Sequence, residues 1–129
     1  METTLVLIAC AVMGLLVGSF LTVLKRFGDL PSPGILSFPR PGYTLTLDFP
    51  NRGQSTRALL DTLDRITVEA GGAVNPYKDA RMGPATFAAS FPRWRELETM
   101  RDPAFVSDFW RRTAMALTTS GTGFASAAE

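Results

Sequence analysis

The sequence predicts an α+β fold, a partial antiparallel sheet with packed helices. Three observations carry this. Tyr43, Leu45, Leu47 and Phe49 alternate with Thr44, Thr46 and Asp48, the period of two of a half-buried strand. Leu59, Leu60, Leu63, Ile66 and Ala70 recur at helical spacing. A run at Ser19–Phe27 can form a second strand, which gives strand, loop, strand, helix in order.

From Thr3 to Leu24 the chain carries no Asp, Glu, Lys or Arg. Two readings of this 22-residue stretch are open. By length it can span a bilayer, which needs about 20 apolar residues, with Lys25 and Arg26 as the cytoplasmic flank. Alternatively Thr4–Leu16 is a buried helix that Gly18 ends, and Ser19–Phe27 is a strand. In that strand Phe20, Thr22, Leu24 and Arg26 share one face, and Leu21, Val23, Lys25 and Phe27 share the other. Periodicity does not separate the two, because a core helix and a membrane helix can both be apolar on all sides. Glu2 and the lack of an early Lys or Arg argue against a signal peptide.

Residues 28–41 hold four prolines and two glycines, so a loop is expected, with a short extended piece at Ile35–Phe38. After the strand Tyr43–Phe49, Pro50 stops the ladder and Asn51–Gly53 turns the chain. Ser55 is expected to cap a helix over Thr56–Ala70, with Arg57 and Asp61 paired at i, i+4. Gly71 and Gly72 supply a left-handed stop. Asp61 and Asp64 read as a solvated face. Pro84 opens a short helix to Phe91. A polar helix follows at Arg93–Arg101, then a last one over Ala104–Thr113. From Ala116 the residues are small and polar and read as a mobile tail.

Composition excludes several chemistries. There is no His, so Ser-His-Asp, Cys-His and His-ligated metal sites cannot form. The single Cys10 cannot close an intrachain disulfide. Thirteen Lys+Arg against twelve Asp+Glu make no case for nucleic acid. No glycine motif for phosphate is present. The densest polar group is Asn75-Pro76-Tyr77-Lys78-Asp79-Ala80-Arg81. Lys78 is either a surface partner of Asp79, the commoner case, or a lysine at a site mouth with Asp79 and Arg81 fixing its loop. Lys25 is either a strand-end ammonium reaching water or a pocket group. Thr44, Thr46 and Asp48 offer hydroxyls and a carboxylate to sugar-like hydroxyl groups if their face borders a ligand.

Several motifs in order resemble one family. They are SFLTVLKRFG (19–28), LSFPRPGYTLTLDFP (36–50), LDTLDR, GGAVNPYKDARM, ATFAASFPRW and FVSDFWRR. From about Gly18 to Thr113 they resemble the C-terminal part of FAD-dependent oxidoreductases. The nearest group is decaprenylphosphoryl-ribose oxidase, within the vanillyl-alcohol oxidase and aldonolactone oxidase superfamily. The resemblance implies that residues 18–72 are the end of a substrate domain and that 73–114 return to the flavin domain. Residues 1–17 are then an apolar N-terminal helix of core or membrane, and 115–129 a tail. It implies FAD, held mainly by a domain absent from this chain, and a sugar-like substrate whose hydroxyl is oxidised. Lys78 is implied as the catalytic group and, with Asn75, as a cofactor contact. Lys25, Thr44 and Thr46 are implied as substrate contacts. In members of the group the Thr46 position is cysteine, the Thr44 position asparagine and the Asn75 position tyrosine, which changes the pocket chemistry.

Such a fragment is expected to be inactive alone and to need the missing FAD-binding domain as partner. Its expected location is the cytoplasm, or a membrane through residues 3–24. Gly14–Val23 also resembles the first membrane segment of prepilin peptidases over ten residues. The alternative function is a small membrane-anchored, non-catalytic interaction protein.

Overall fold

A computed structural model describes Val12, Gly14, Leu16 and residues 18–78 and 81–121, with only the backbone described for Lys78 and Ser120. The chain forms two compact units, residues 1–32 with 39–61 and residues 33–38 with 62–129. The expected α+β class is observed, with a small sheet and several helices.

In the first unit, strands β1 (Leu21–Phe27) and β2 (Gly42–Asp48) pair antiparallel. Val12, Gly14 and Leu16 are helical, and Gly18 then adopts φ 77°, a conformation glycine reaches without steric cost. Thr22 on β1 packs so closely on Gly14 that a Cβ there would meet its hydroxyl. The break at Gly18 and the strand from Leu21 divide the uncharged stretch. Fewer of its residues precede Gly18 than the about 20 a membrane span requires. Among the described residues no helix is long and apolar enough to cross a membrane. The rest of residues 3–17 lies outside the described residues.

The loop between the strands differs from the expectation at Ile35–Phe38. The chain turns there, with the Ser37 N–H donating to the Gly34 carbonyl at 3.3 Å and Gly34 N–H donating to Ser37 Oγ at 3.1 Å. Two side-chain and backbone bonds at Ser37 outweigh the extended preference set by the flanking prolines.

Helix α1 (Gln54–Glu69) starts one residue before Ser55. Ser55 is therefore inside the helix. Gly53, at φ 69°, makes the entry turn, and Thr56 Oγ1 takes the stabilising role by accepting from Arg52 N–H at 2.9 Å and donating to the Pro50 carbonyl at 2.9 Å. An i, i+4 ion pair forms on α1 between Arg65 and Glu69, at 3.1 Å. Gly71 (φ 75°) ends the helix as expected, and Gly72 N–H donates back to the Thr67 carbonyl at 2.8 Å. The apolar stripe of α1 is only half-buried; no residue of the helix is buried and Ile66 is 51% exposed.

The core lies in the second unit. Met82, Phe87, Phe91, Trp94, Trp110 and Ala114 are its buried members. Helix α2 (Pro84–Ser90) places Phe87 at the centre, against Phe91, Phe109 and Trp110 with ring centroids 5.5–5.6 Å apart. The contacts with Phe109 and Trp110 are edge-to-face, an arrangement the ring quadrupoles favour. Helix α3 (Trp94–Met100) is polar except on the side carrying buried Trp94.

Helix α4 (Asp108–Trp110) begins later than expected, because Ser107 Oγ accepts from Trp110 N–H at 3.1 Å and caps it there. A π-helical turn follows at Arg111–Met115, then α5 (Ala116–Gly121). The polar stretch from Ala116 is therefore helical through Gly121. Leu117 packs on the core, and Thr118 and Thr119 hydroxyls donate to the Met115 carbonyl. Residues 122–129 lie outside the described residues.

Candidate functional site

The strand register determines which candidate side chains meet. Lys25 pairs with Thr44, Val23 with Thr46 and Leu21 with Asp48. Residues directly opposite in an antiparallel ladder project to the same side of the sheet. One face therefore carries Lys25, Thr44, Thr46 and Asp48, with Val23 and Leu21 beside them. The other carries Thr22, Leu24 and Arg26 of β1 opposite Leu47, Leu45 and Tyr43 of β2. Along β2 the polar groups repeat at about 6.8 Å, two residues of strand rise.

These polar groups have spare capacity. Among the described residues, the side chains of Lys25, Thr44, Thr46 and Asp48 make no hydrogen bond or ion pair. Helical Thr67 and Thr113, by contrast, donate their hydroxyls to the carbonyls of Leu63 and Phe109, at 2.8 and 2.7 Å. Thr44, Thr46 and Asp48 are half-buried, while Lys25 is exposed. The face thus offers the Lys25 ammonium and the Thr44 hydroxyl at one end, the Thr46 hydroxyl in the middle and the Asp48 carboxylate at the other end, next to an apolar strip. That combination suits a ligand with several hydroxyl groups and a C–H face.

Asn75 and Lys78 belong to the second unit. A 3-10 turn spans Pro76–Lys78. Asn75 Oδ1 accepts from Tyr77 N–H at 3.0 Å, which fixes the turn in the manner of an Asx motif. Val74, just before it, is tied to the core by its N–H donating to the buried Ser90 Oγ at 3.0 Å. The Lys78 side chain and Asp79 lie outside the described residues.

Just beyond that turn, Arg81 donates to Asp64 at 2.9 Å. Asp64, expected on a solvated face, is instead a half-buried partner for the loop. Its distance in sequence from Arg81 hid the pairing. Only the Arg81 side of the arrangement, a cation fixing the loop, was legible beforehand. No clue in the sequence marked Glu98 either. It accepts from Arg101 Nε and Nη2, each at 2.9 Å, and from the Trp110 indole N–H. Bonds from Arg101, then from Trp110, push its carboxyl down to about 2. Among the described residues no cluster of three acids, Cys or His could hold a metal ion.

The chain is similar to parts of two longer bacterial proteins. It is 43% identical over 98 residues to a Streptomyces coelicolor protein described as uncharacterized and located in the mprA 5′ region. It is 38% identical over 99 residues to decaprenylphosphoryl-beta-D-ribose oxidase of Mycolicibacterium smegmatis. These alignments cover 72% and 73% of the chain but 26% and 21% of the relatives. The chain therefore spans about a quarter or less of the relatives' length. No protein-family model matches it.

Proposed function

We propose that this chain is part of an FAD-dependent oxidoreductase that oxidises a hydroxyl-bearing carbon of a sugar or sugar alcohol. The observation that carries the reading is the similarity to a named oxidase over most of the chain, joined to a strand face whose polar side chains make no hydrogen bond or ion pair among the described residues. Residues 18–72 then belong to the substrate side, and residues 73–114 to the flavin side.

Lys25, Thr44 and Thr46 would hold substrate hydroxyls, the two threonines by donating or accepting and Lys25 by donating only. Val23 and Leu21 would cover the substrate's C–H face. A turn fixed by the Asn75–Tyr77 bond and followed by the Arg81–Asp64 ion pair supports placing Lys78 at the ring end of FAD. When bound, FAD supplies the hydride acceptor for the carbinol carbon. Lys78 would set a cation beside the N1 and C2 carbonyl edge and Asn75 would offer its amide there. The pyrophosphate of FAD would be held by the portion of the relatives that this chain does not cover.

The test mixes the purified chain with the separately produced remainder of a relative, loaded with FAD. Anaerobic addition of a sugar alcohol should bleach the flavin only when both parts are present. Lys78→Ala should slow bleaching by about 10²–10³-fold, the usual cost of losing a group that stabilises developing charge. Equal bleaching without the chain, or with Lys78→Ala, would refute the reading.

A further inference from the structure

The loop that carries Lys78 is held at both ends. On the incoming side Val74 packs against the core, and its N–H donates at 3.0 Å to Ser90 Oγ, a fully buried hydroxyl on α2. On the outgoing side Met82 is buried in the same core. Lys78 is the middle residue of the span 75–81 between them. The Asn75–Tyr77 bond fixes the first half of that span. The Arg81–Asp64 ion pair ties the second half to α1. All of these groups belong to the second unit.

An ion pair adds little stability here beyond what apolar side chains would supply. Both charges are half-buried and give up part of their water, and apolar residues of similar volume commonly stabilise such a place as well or better. What the pair adds is geometry. A guanidinium donates along fixed directions, so the bond at 2.9 Å specifies one position for the outgoing arm. Apolar packing keeps stability more readily than it keeps a unique arrangement.

We propose that Asp64 and Arg81 are positioning residues for Lys78: their ion pair, acting with the Ser90 anchor, holds the Lys78 backbone in a single place. The purpose of that order rests on the oxidoreductase reading, in which a cation must stand still beside the flavin to stabilise developing charge. The order itself does not, and it is measured without flavin.

The chain has two lysines, Lys25 in β1 and Lys78 in the loop, so ¹⁵N-lysine labelling reports on both backbone amides. The Lys78 order parameter should be about 0.85 in the native chain and below about 0.6 when Asp64→Leu is combined with Arg81→Met, with Lys25 unchanged. The thermal midpoint of this double variant should stay near the native one. Far-UV circular dichroism checks that it folds. Should it not, Asp64→Ala and the charge swap of Asp64→Arg with Arg81→Asp take its place, the first loosening Lys78 and the second restoring its order. In the assembly completed by the FAD-loaded remainder of a relative, the double variant should reduce flavin about 10–10²-fold more slowly at unchanged KM. A Lys78 amide as rigid without the pair as with it overturns the proposal. So does a native Lys78 amide already below about 0.6, or a flavin rate that Lys78→Ala slows and the double variant does not. If Lys78→Ala leaves the rate unchanged, it is the flavin role of Lys78 that fails, and the order parameters alone decide the positioning.

Discussion

The Arg81 guanidinium donates to the Asp64 carboxylate at 2.9 Å, with the two side chains 26% and 14% exposed. This bond ties the segment after Lys78 to the last turns of α1. Partial burial makes it worth more than an exposed ion pair. Removing one partner also leaves the other charge poorly solvated. Asp64→Asn should therefore lower stability by about 1–3 kcal/mol. Urea denaturation of the two proteins checks it, and a change below about 0.5 kcal/mol would mean that water replaces the bond.

Glu98 gives a pH prediction with a definite sign. Its carboxyl is held at about 2, below the usual 4.5, by Arg101 and then Trp110. A depressed native pKa stabilises the fold above the unfolded value, and that contribution is lost as pH falls through the native one. The stability difference between the native protein and Glu98→Gln should be flat above about pH 4.5 and shrink toward pH 2. Chemical denaturation at stepped pH measures it. A difference that grows on acidification would reverse the assignment.

Phe87 and Ile66 should respond very differently to truncation. Phe87 is 1% exposed and touches three other rings, whereas Ile66 is 51% exposed on α1. Phe87→Ala should cost about 3–5 kcal/mol through lost burial and a residual cavity. Ile66→Ala should stay within about 0.5 kcal/mol, as for surface positions. Comparable losses would show that the apolar stripe of α1 is covered in solution.

The polar strand face should be dispensable for folding. Thr44→Val and Thr46→Val preserve shape and remove hydroxyls that have no partner among the described residues. Each should leave the thermal midpoint nearly unchanged while raising KM for substrate in the completed enzyme, by about tenfold per lost hydrogen bond. A large loss of stability with unchanged KM would make these threonines structural.

The elements followed from short-range patterns. Alternation at Tyr43–Leu47, the glycines ending α1, and Pro84 opening α2 are all local, so a linear reading reaches them. Elements whose ends depend on side-chain bonds were placed less well. Thr56 rather than Ser55 stabilises the start of α1, Ser107 delays α4, and the hydroxyls of Thr118 and Thr119 keep the segment after Ala116 helical.

By itself the sequence determined the α+β class, the two strands and the absence of histidine chemistry. It also put Thr44, Thr46 and Asp48 on one side of β2, because side chains alternate along any strand. Only the tertiary structure decided that Lys25 stands opposite Thr44, that Asp64 meets Arg81, and that Glu98 meets Trp110. Those relationships join residues far apart in the chain. Their partners are chosen by register and packing, which depend on how the whole chain closes and not on any local run of residues.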